Sequence, residues 1–256
     1  MARACRLFDA WRTCPVDPAG RPGVEPPVGA LVSRVPRPIV KIARSNEKVR
    51  APQPVAACRA TGAVSRRAVT DNGVLVLTGP PCAGKSSVGK VLAADWLRGR
   101  GVHLEVDALC SLLLPGSDRN RNDRMFAYHA AHALARMVLE RGQTPLLECT
   151  YSRLEQRASL LKALADVPGA PLWIVEFEVL PDDAVQRFRR RRQATDLDEQ
   201  LVRKRAEVFP YSAQALRLVS SAAAPEDLAH QITTWLGKQP GSIQRDLWAE
   251  AGQGWE

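Results

Sequence analysis

Short apolar runs alternate along the chain with segments whose apolar residues recur at helical spacing. The run at 74–78 is apolar almost throughout and ends at a Gly-Pro-Pro turn, which is typical of a strand buried on both faces of a parallel sheet. In the next segment, 86–97, Val88, Val91 and Leu92 fall on one helical face. The same patterns predict strands at 103–106, 145–148, 172–177 and 216–219, and helices at 108–114, 122–141, 153–165, 182–192, 198–208 and 225–236.

This alternation predicts an α/β domain over residues 71–238. Strands that alternate with helices indicate βαβ units, so we expect a three-layer α/β/α sandwich with a parallel sheet of about five strands. In the helix at 122–141, the predicted apolar stripe consists of Phe126, Ala130, Ala133, Leu134, Met137 and Val138. Residues 239–256 continue neither pattern and are predicted to form a loose C-terminal tail.

Residues 1–70 differ in composition from the rest of the chain. They hold 13 Lys and Arg against four Asp and Glu, which accounts for the whole net charge of +9. Their nine prolines exclude long helices and central strands, so the segment is predicted to be a basic, disordered extension. Two alternatives stay open, an organelle transit peptide and a translation start further along the chain. Because the remaining residues carry no net charge, basicity does not favour nucleic acid as the partner.

The cysteines indicate a reducing compartment. None of the six, at positions 5, 14, 58, 82, 110 and 149, forms a C-x-x-C pair, so no zinc or thioredoxin-like motif is present. No apolar run approaches the ~20 residues of a membrane span, and no signal-peptide core begins the chain. We therefore expect a cytoplasmic protein with no membrane partner, and the sequence does not indicate its oligomeric state.

The first predicted strand leads into a Walker A motif. Residues 79–86 read GPPCAGKS and match G-x-x-x-x-G-K-S/T without a gap. Such a P-loop points backbone N–H groups at phosphate oxygens, and the following helix adds the partial positive charge of its N-terminus. Lys85 is expected to reach the β- and γ-phosphates of ATP, and Ser86 to bind Mg²⁺. The predicted nucleotide-binding residues are Gly79, Pro80, Pro81, Cys82, Ala83, Gly84, Lys85, Ser86 and Ser87.

Two carboxylates end predicted strands. Asp107 ends the second strand, where a carboxylate beside a P-loop can accept the proton of an attacking hydroxyl. The alternative for Asp107 is the N-cap of the helix at 108–114. Glu148 ends the third strand and is predicted either to orient Mg²⁺ or to pair with a nearby Arg, because a carboxylate there needs a cation.

These motifs resemble those of small P-loop kinases. GPPCAGKSSVGKVLA followed by VDALCSLLLPG is similar to the family typified by chloramphenicol phosphotransferase, and PLLECTYSRLEQRASLLKALA resembles polynucleotide-kinase and zeta-toxin-like domains. The resemblance covers about residues 73–237 and implies a nucleoside-monophosphate-kinase arrangement, with Asp107 as the base. Polynucleotide-kinase and zeta-toxin-like domains commonly have Asp, Thr and Arg at the positions of Glu148, Thr150 and Arg157. Cys110 stands where many relatives of that group have Arg.

The resemblance also implies a role for the RFRRRR segment at 187–192. Exposure on a solvated helix accounts for most of these side chains. The relatives carry an Arg-bearing lid at this point, which stabilises charge on the γ-phosphate, and Arg187 and Arg191 are the candidates because helical spacing puts them on one face. His129 and His132 share a helical face in the region of the relatives' acceptor pocket, although simple exposure is the favoured interpretation.

Together these features predict an ATP- and Mg²⁺-dependent kinase. The acceptor is expected to be a hydroxyl of a small molecule, for example an antibiotic or a nucleoside. The alternatives are a polynucleotide or nucleotide-sugar kinase and, from another class, a nucleotide-binding regulatory ATPase module. The sequence contains neither an Asn-Lys-x-Asp guanine box nor a Ser-Gly-Gly signature, which argues against GTPases and ABC-type ATPases.

Overall fold

A five-stranded parallel sheet forms the middle layer of the fold. The computed structural model describes residues 72–191, 197–221 and 223–254, so the predicted extension at 1–70 lies outside the described residues. The strand order is β2-β3-β1-β4-β5, and every neighbouring pair is parallel. The strands are β1 (Val74–Thr78), β2 (Gly101–Glu105), β3 (Thr144–Glu148), β4 (Leu172–Glu178) and β5 (Leu216–Val219).

Helices cover both faces of this sheet, which confirms the predicted three-layer α/β/α sandwich. Helices α1, α5, α6 and α7 contribute to the core on one face, and α2, α3, α4 and α8 to the core on the other. In the part of the chain that is described, no helix combines the length and the apolar character needed to cross a bilayer. The helices are α1 (Lys85–Ala94), α2 (Val106–Leu113), α3 (Arg121–Glu140), α4 (Leu154–Ala163), α5 (Pro181–Arg190), α6 (Glu199–Glu207), α7 (Pro225–Gly237) and α8 (Arg245–Glu250).

The central strand β1 explains why its sequence is apolar without alternation. Leu75 and Leu77 pack into the core on the α1 and α7 side, and Val74 and Val76 pack into the core on the α3 side. All four side chains are fully buried. A strand covered on both faces needs apolar side chains at every position.

Helix α3 buries a different face from the one predicted. Phe126 and Met137 are 51% and 58% exposed, whereas Ala127, Ala131 and Ala135 are fully buried. Of the predicted stripe, Val138 is buried and Leu134 packs against the core, but small alanines outside the stripe form much of this contact. The predicted apolar stripe was therefore wrong for Phe126, Ala133 and Met137, which are exposed.

The C-terminal residues are also packed, so the prediction of a loose tail after residue 238 was wrong for the residues that are described. Ile243 N donates to Leu172 O at 3.0 Å, and Leu154 N donates to Gly252 O at 2.9 Å. Trp248, in α8, is fully buried. These contacts attach the end of the described chain to the start of β4 and to the start of α4.

Arg157 is the charged residue that anchors this C-terminal segment. It is fully buried, and its Nε, Nη1 and Nη2 donate to Tyr151 O, Trp248 O and Pro210 O at 2.7, 2.7 and 2.8 Å. Burial lowers the pKa of the guanidinium to about 10, against the opposing charge of Glu176. The Arg that the resemblance singled out therefore joins three separate segments of the chain.

Candidate active site

The Walker A loop turns sharply between β1 and α1. A Cβ at Gly79 would lie 2.5 Å from the carbonyl oxygen of Phe177 in β4, so only glycine fits this close approach. Gly84 is the N-cap of α1 and adopts the left-handed conformation, φ 87°. Cys82 also has a positive φ, 63°, which is uncommon for a residue other than glycine. Positive φ angles at Gly79, Cys82 and Gly84 thus give the loop its tight turn.

Lys85 begins α1 and is held against this loop. Its Nζ donates to Gly79 O at 2.9 Å and to Pro80 O at 2.8 Å. Burial lowers the pKa of the ammonium, and the charge of Glu148 opposes that effect. Lys85 and the adjacent Ser86 both line a cavity of about 920 Å³ at the carboxyl ends of the strands.

Ser86 and Glu148, the two predicted metal ligands, are in direct contact. Ser86 Oγ donates to Glu148 Oε1, and His103 Nε2 lies 2.9 Å from Glu148 Oε2. The described residues place the basic side chains of His103 and Lys85 beside Glu148, and no Arg is among them, so the alternative of an Arg partner was wrong. Burial acts to raise the pKa of Glu148, but hydrogen bonds from His103 and Ser86 and the charge of Lys85 outweigh it and leave that pKa below its ordinary value.

A glycine in α1 makes room for this arrangement. A Cβ at Gly89 would lie 2.7 Å from Glu148 Oε2 and 3.0 Å from His103 Nε2. The neighbouring hydroxyl and carboxylate oxygens are the kind of ligand that Mg²⁺ prefers. Ser86 and Glu148 therefore fit a magnesium ion that is also bound by nucleotide phosphates. The sequence analysis missed His103 and Gly89, because each acts only through the side chain of Glu148.

Asp107 lies in the first turn of α2 and lines the same cavity as Lys85 and Glu148. The helix begins at Val106, with Glu105 as its N-cap, so the interpretation of Asp107 as the N-cap was wrong. The chain enters the helix two residues earlier than predicted. The Asp107 side chain is exposed, which leaves its carboxylate accessible from the cavity.

The two candidate lid arginines occupy different positions. Arg187 Nη1 donates to Cys82 O at 3.3 Å and to Ser220 Oγ at 3.0 Å, and Nη2 donates to Ser220 O at 2.6 Å. Arg187 thus connects the Walker A loop to the loop after β5. Arg191 follows the last residue of α5 in an extended conformation, ψ 131°, so the prediction that the two share one helical face was wrong. Arg191 nevertheless lines the large cavity.

A smaller cavity of about 310 Å³ adjoins the loop on its other side. Gly84, Ser87, Arg187 and Arg191 line its polar part. An apolar part is suited to a flat heterocyclic ring. The apolar residues are Val88, Ala223, Pro225 and Leu228. The sequence analysis missed the last three, because neither the loop before α7 nor the first turn of that helix carries a motif.

His132 is buried below the cavity and belongs to a hydrogen-bonded cluster. Its Nδ1 lies 3.0 Å from Ser159 Oγ and its Nε2 lies 2.9 Å from Tyr151 OH. Burial lowers the pKa of His132 to about 3, so the ring is neutral at physiological pH. The favoured interpretation of His132 as an exposed residue was wrong, whereas His129 is exposed. The structure assigns His132 to the core on the α3 side.

Comparison with known proteins agrees with this fold. Residues 74–215, more than half of the chain, match the family model AAA_33, described as an AAA domain. The comparison with curated protein sequences found no match.

Two solved structures share the architecture. A candidate kinase from Chloroflexus aurantiacus has a TM-score of 0.55 at 20% identity, over 67% of this chain and 100% of that one. The tunicamycin resistance protein of Deinococcus radiodurans has a TM-score of 0.51 at 17% identity, over 65% and 96% of the two chains. At these identities the likeness shows a P-loop kinase-like fold, which confirms the resemblance to P-loop kinases in fold but not the chloramphenicol phosphotransferase family.

Proposed function

The chain belongs to the AAA domain family AAA_33, and from that membership we propose that it is an ATP- and Mg²⁺-dependent phosphotransferase that moves the γ-phosphoryl group to a hydroxyl of a small molecule. One observation carries the proposal. The Walker A residues Lys85 and Ser86 line a single cavity together with the carboxylates of Glu148 and Asp107. A phosphate-binding cation, a pair of oxygen ligands and a base are the groups that phosphoryl transfer needs.

The two cavities divide the nucleotide between them. The apolar part of the small cavity, with Val88 and Leu228, takes the base, and the Walker A loop takes the phosphates. Lys85 then neutralises charge on the β- and γ-phosphates, and Arg191 adds a second cation from the edge shared by both cavities. Ser86 and Glu148 would hold a magnesium ion, which would supply further neutralisation of the phosphate oxygens.

Asp107 is assigned the role of base. Its exposed carboxylate, in the first turn of α2, lines the large cavity and not the small one that takes the nucleotide base. A hydroxyl bound in the large cavity donates its proton to this carboxylate late in the transfer and is oriented by it earlier. The volume of about 920 Å³ is enough for a small-molecule acceptor beside the phosphates.

An acceptor screen with γ-labelled ATP tests the proposal. Label on a small alcohol supports it, and label on the 5′-hydroxyl of an oligonucleotide supports the polynucleotide-kinase alternative instead. Slow release of labelled phosphate with no labelled acceptor supports the regulatory ATPase module. Asp107→Asn should reduce any transfer by a factor of ~10²–10⁴, whereas Asp95→Asn, at the exposed C-cap of α1, serves as the matched control.

A further inference from the structure

The loop between β3 and α4, together with the first turn of α4, forms a wall of the large cavity that the proposed function leaves without an occupant. Three neutral polar side chains line the cavity from this wall: Thr150, Ser152 and Gln156. Ser152 is only 2% exposed, and Gln156 is 9% exposed. Polar side chains buried to this degree are normally held by hydrogen bonds within the protein. Their partners therefore decide what the wall can bind.

The Ser152 hydroxyl has no hydrogen-bond partner among the described residues. In the part of the chain that is described, the unpartnered side-chain atoms that are sealed from solvent belong to Glu176, Ser221 and Trp248. Ser152 Oγ is not one of them, so it keeps an opening to the cavity that Ser152 lines. A hydroxyl removed from bulk water costs free energy unless a hydrogen bond compensates it. A partner for this hydroxyl must come from the cavity.

Gln156 offers donors at the same wall. Its Oε1 accepts from the backbone N of Arg153, the N-cap of α4, at 3.1 Å, and this bond fixes the orientation of the side-chain amide. Nε2 is then the other end of the amide, and the described residues place no acceptor beside it. The wall therefore presents one hydroxyl, which can donate and accept, and one amide NH₂ group, which can only donate.

Tyr151 holds this loop in place before any ligand binds. Its side chain is fully buried, and its φ is 43°, in the left-handed region. Its backbone N donates to Tyr128 OH at 3.3 Å, and its backbone O accepts from Arg157 Nε at 2.7 Å. The residues on either side of it, Thr150 and Ser152, line the cavity. Backbone strain of this kind clusters at ligand sites, and a wall fixed in advance lowers the entropic cost of binding.

The charged side chains beside this wall contact one another. Arg121 Nε and Nη2 donate to the two oxygens of Glu155 at 3.2 and 2.7 Å, and Arg153 Nη1 lies 3.9 Å from the same carboxylate. The groups of Ser152 and Gln156 that lack a partner are neutral, which favours a neutral ligand group. A hydroxyl suits both of them, because it can accept from Gln156 Nε2 and donate to Ser152 Oγ at the same time.

We propose that the phosphoryl acceptor is a polyhydroxylated compound, of the class of sugars, sugar alcohols and nucleosides, whose second hydroxyl is bound by Ser152 Oγ and Gln156 Nε2. The inference rests on the proposed function, because the reacting hydroxyl must lie at Asp107 in the same cavity. A site built to hydrogen-bond a hydroxyl rejects analogues that lack it, because its own polar groups are then left unpaired. Ser152 and Gln156 thus determine specificity and take no part in the chemical step.

Deoxy analogues test this inference with the full chain. Each acceptor found in the screen with γ-labelled ATP is compared with analogues that each lack one of its hydroxyls, as monodeoxyglucoses do for glucose and deoxyuridines for uridine. One analogue loses the reacting hydroxyl and is not labelled. We expect a second one to be labelled with kcat/KM at least about 100-fold below that of the parent. Equal use of all the remaining analogues, or equal use of a simple alcohol with a single hydroxyl, would overturn the inference.

Two variants separate specificity from structure. Gln156→Glu keeps an oxygen for the Arg153 backbone N–H but replaces the NH₂ donors, and Ser152→Ala removes a hydroxyl that has no partner in the protein. We expect each to raise the KM of the parent acceptor at least about tenfold, with kcat nearly unchanged and little further loss on the second deoxy analogue.

The stability of Ser152→Ala provides the readout that a structural role would change. Because no hydrogen bond within the protein is lost, its free energy of unfolding should equal or exceed that of the wild type. Ser221→Ala is the matched control, since the Ser221 hydroxyl is also buried and unpartnered but lines neither of the two cavities, and it should keep the wild-type KM. A destabilised Ser152→Ala with an unchanged KM would make this serine structural and refute the inference.

A binding experiment decides the same point without turnover. With the nucleotide site saturated by a non-hydrolysable ATP analogue and Mg²⁺, glucose, glucitol and uridine are titrated separately by calorimetry. We expect at least one of them to bind the wild type and Ser221→Ala with affinity at least about tenfold above that for the Ser152→Ala, Gln156→Glu double variant. Binding that the double variant retains in full, or no binding by any chain, refutes the inference. Binding of this kind without transfer to any acceptor refutes only the proposed kinase function.

Discussion

The guanidinium carbon of Arg157 lies 5.2 Å from the centroid of the Trp248 indole ring, and Nη1 of the same guanidinium donates to Trp248 O at 2.7 Å. Trp248 thus covers a buried charge and also satisfies one of its donors. A cation over an indole face is a favourable contact, and it strengthens when water is excluded. The pair makes α8 part of the core on the α3 side of the sheet.

We expect Trp248→Ala to lower the free energy of unfolding by ~3–5 kcal/mol, because it leaves a cavity and uncovers the Arg157 guanidinium. Chemical denaturation of the full chain measures the loss. Leu247→Ala is the control on the same helix, since Leu247 is 48% exposed, and it should cost less than ~1 kcal/mol. Equal losses for the two variants would contradict the role given to Trp248.

Lys85→Ala should weaken nucleotide binding without unfolding the protein. The ammonium is expected to face the β- and γ-phosphates, so its removal leaves phosphate charge uncompensated. ATP at 100 times its Kd stabilises a protein by about 2.7 kcal/mol, and most of this increase in thermal stability should disappear in the variant. Lys162→Ala, on an exposed position of α4, should keep it. A folded Lys85→Ala variant with undiminished ATP stabilisation would show that nucleotide binds elsewhere.

Gly89→Ala tests the arrangement of Glu148 with little change in stability. The new methyl group would meet the Glu148 carboxylate at 2.7 Å and displace it from Ser86 and His103. Loss of such an orienting contact costs ~10–100-fold in metal affinity or activity, so transfer should need more Mg²⁺. Gly237→Ala, where a Cβ meets nothing within 4 Å, is the matched control. Unchanged Mg²⁺ dependence in Gly89→Ala would count against Glu148 as a metal-orienting residue.

Asp107→Asn should separate chemistry from binding. The carboxamide keeps the shape of the side chain but cannot take the hydroxyl proton, so we expect phosphoryl transfer to fall by ~10²–10⁴ with near-normal ATP affinity. Raising the acceptor concentration should not restore the rate. The variant should melt close to the wild type, because Asp107 does not cap α2. Full turnover by Asp107→Asn would remove this residue from the catalytic step.

Because the pKa of Glu176 is raised, we expect the stability of the protein to depend on pH. This β4 carboxylate is buried, and burial raises its pKa to about 7, although a hydrogen bond from the Ser212 backbone and the charge of Arg157 act to lower it. The folded state therefore binds more protons than the unfolded state between the ordinary glutamate pKa and pH 7. Within that window, the contribution of Glu176 to the free energy of unfolding falls as pH rises.

The neutral variant Glu176→Gln should remove this dependence. We expect its stability relative to the wild type to increase from pH 5 to pH 8, by at most about 3 kcal/mol. Denaturation curves of both chains at several pH values measure the difference. A difference that stays constant with pH would show that Glu176 titrates as an exposed carboxylate does.

Residues whose role depends on the local chain could be predicted from the sequence. The strands follow from uninterrupted apolar runs, and the Walker A loop follows from its own spacing. Glu148 could be placed at the edge of the site because parallel strands end together, and in the structure it pairs in register with Leu77. The sequence could not supply partners that depend on packing, such as His103 beside Glu148 or the alanine face of α3. Arg157 and Trp248 are 91 residues apart, and no local pattern links them.

The sequence separation between Arg157 and its carbonyl partners also affects how the protein folds during translation. Nascent domains fold as units while the chain leaves the ribosome from its N-terminus onward. Arg157 and most of the sheet emerge well before Pro210 and Trp248, 53 and 91 residues later. Until those carbonyls arrive, the guanidinium must stay hydrated and the α4 side of the sheet must stay open. The core is therefore completed only in the last stage of translation of this domain. Until then, its exposed apolar surface is accessible to chaperones.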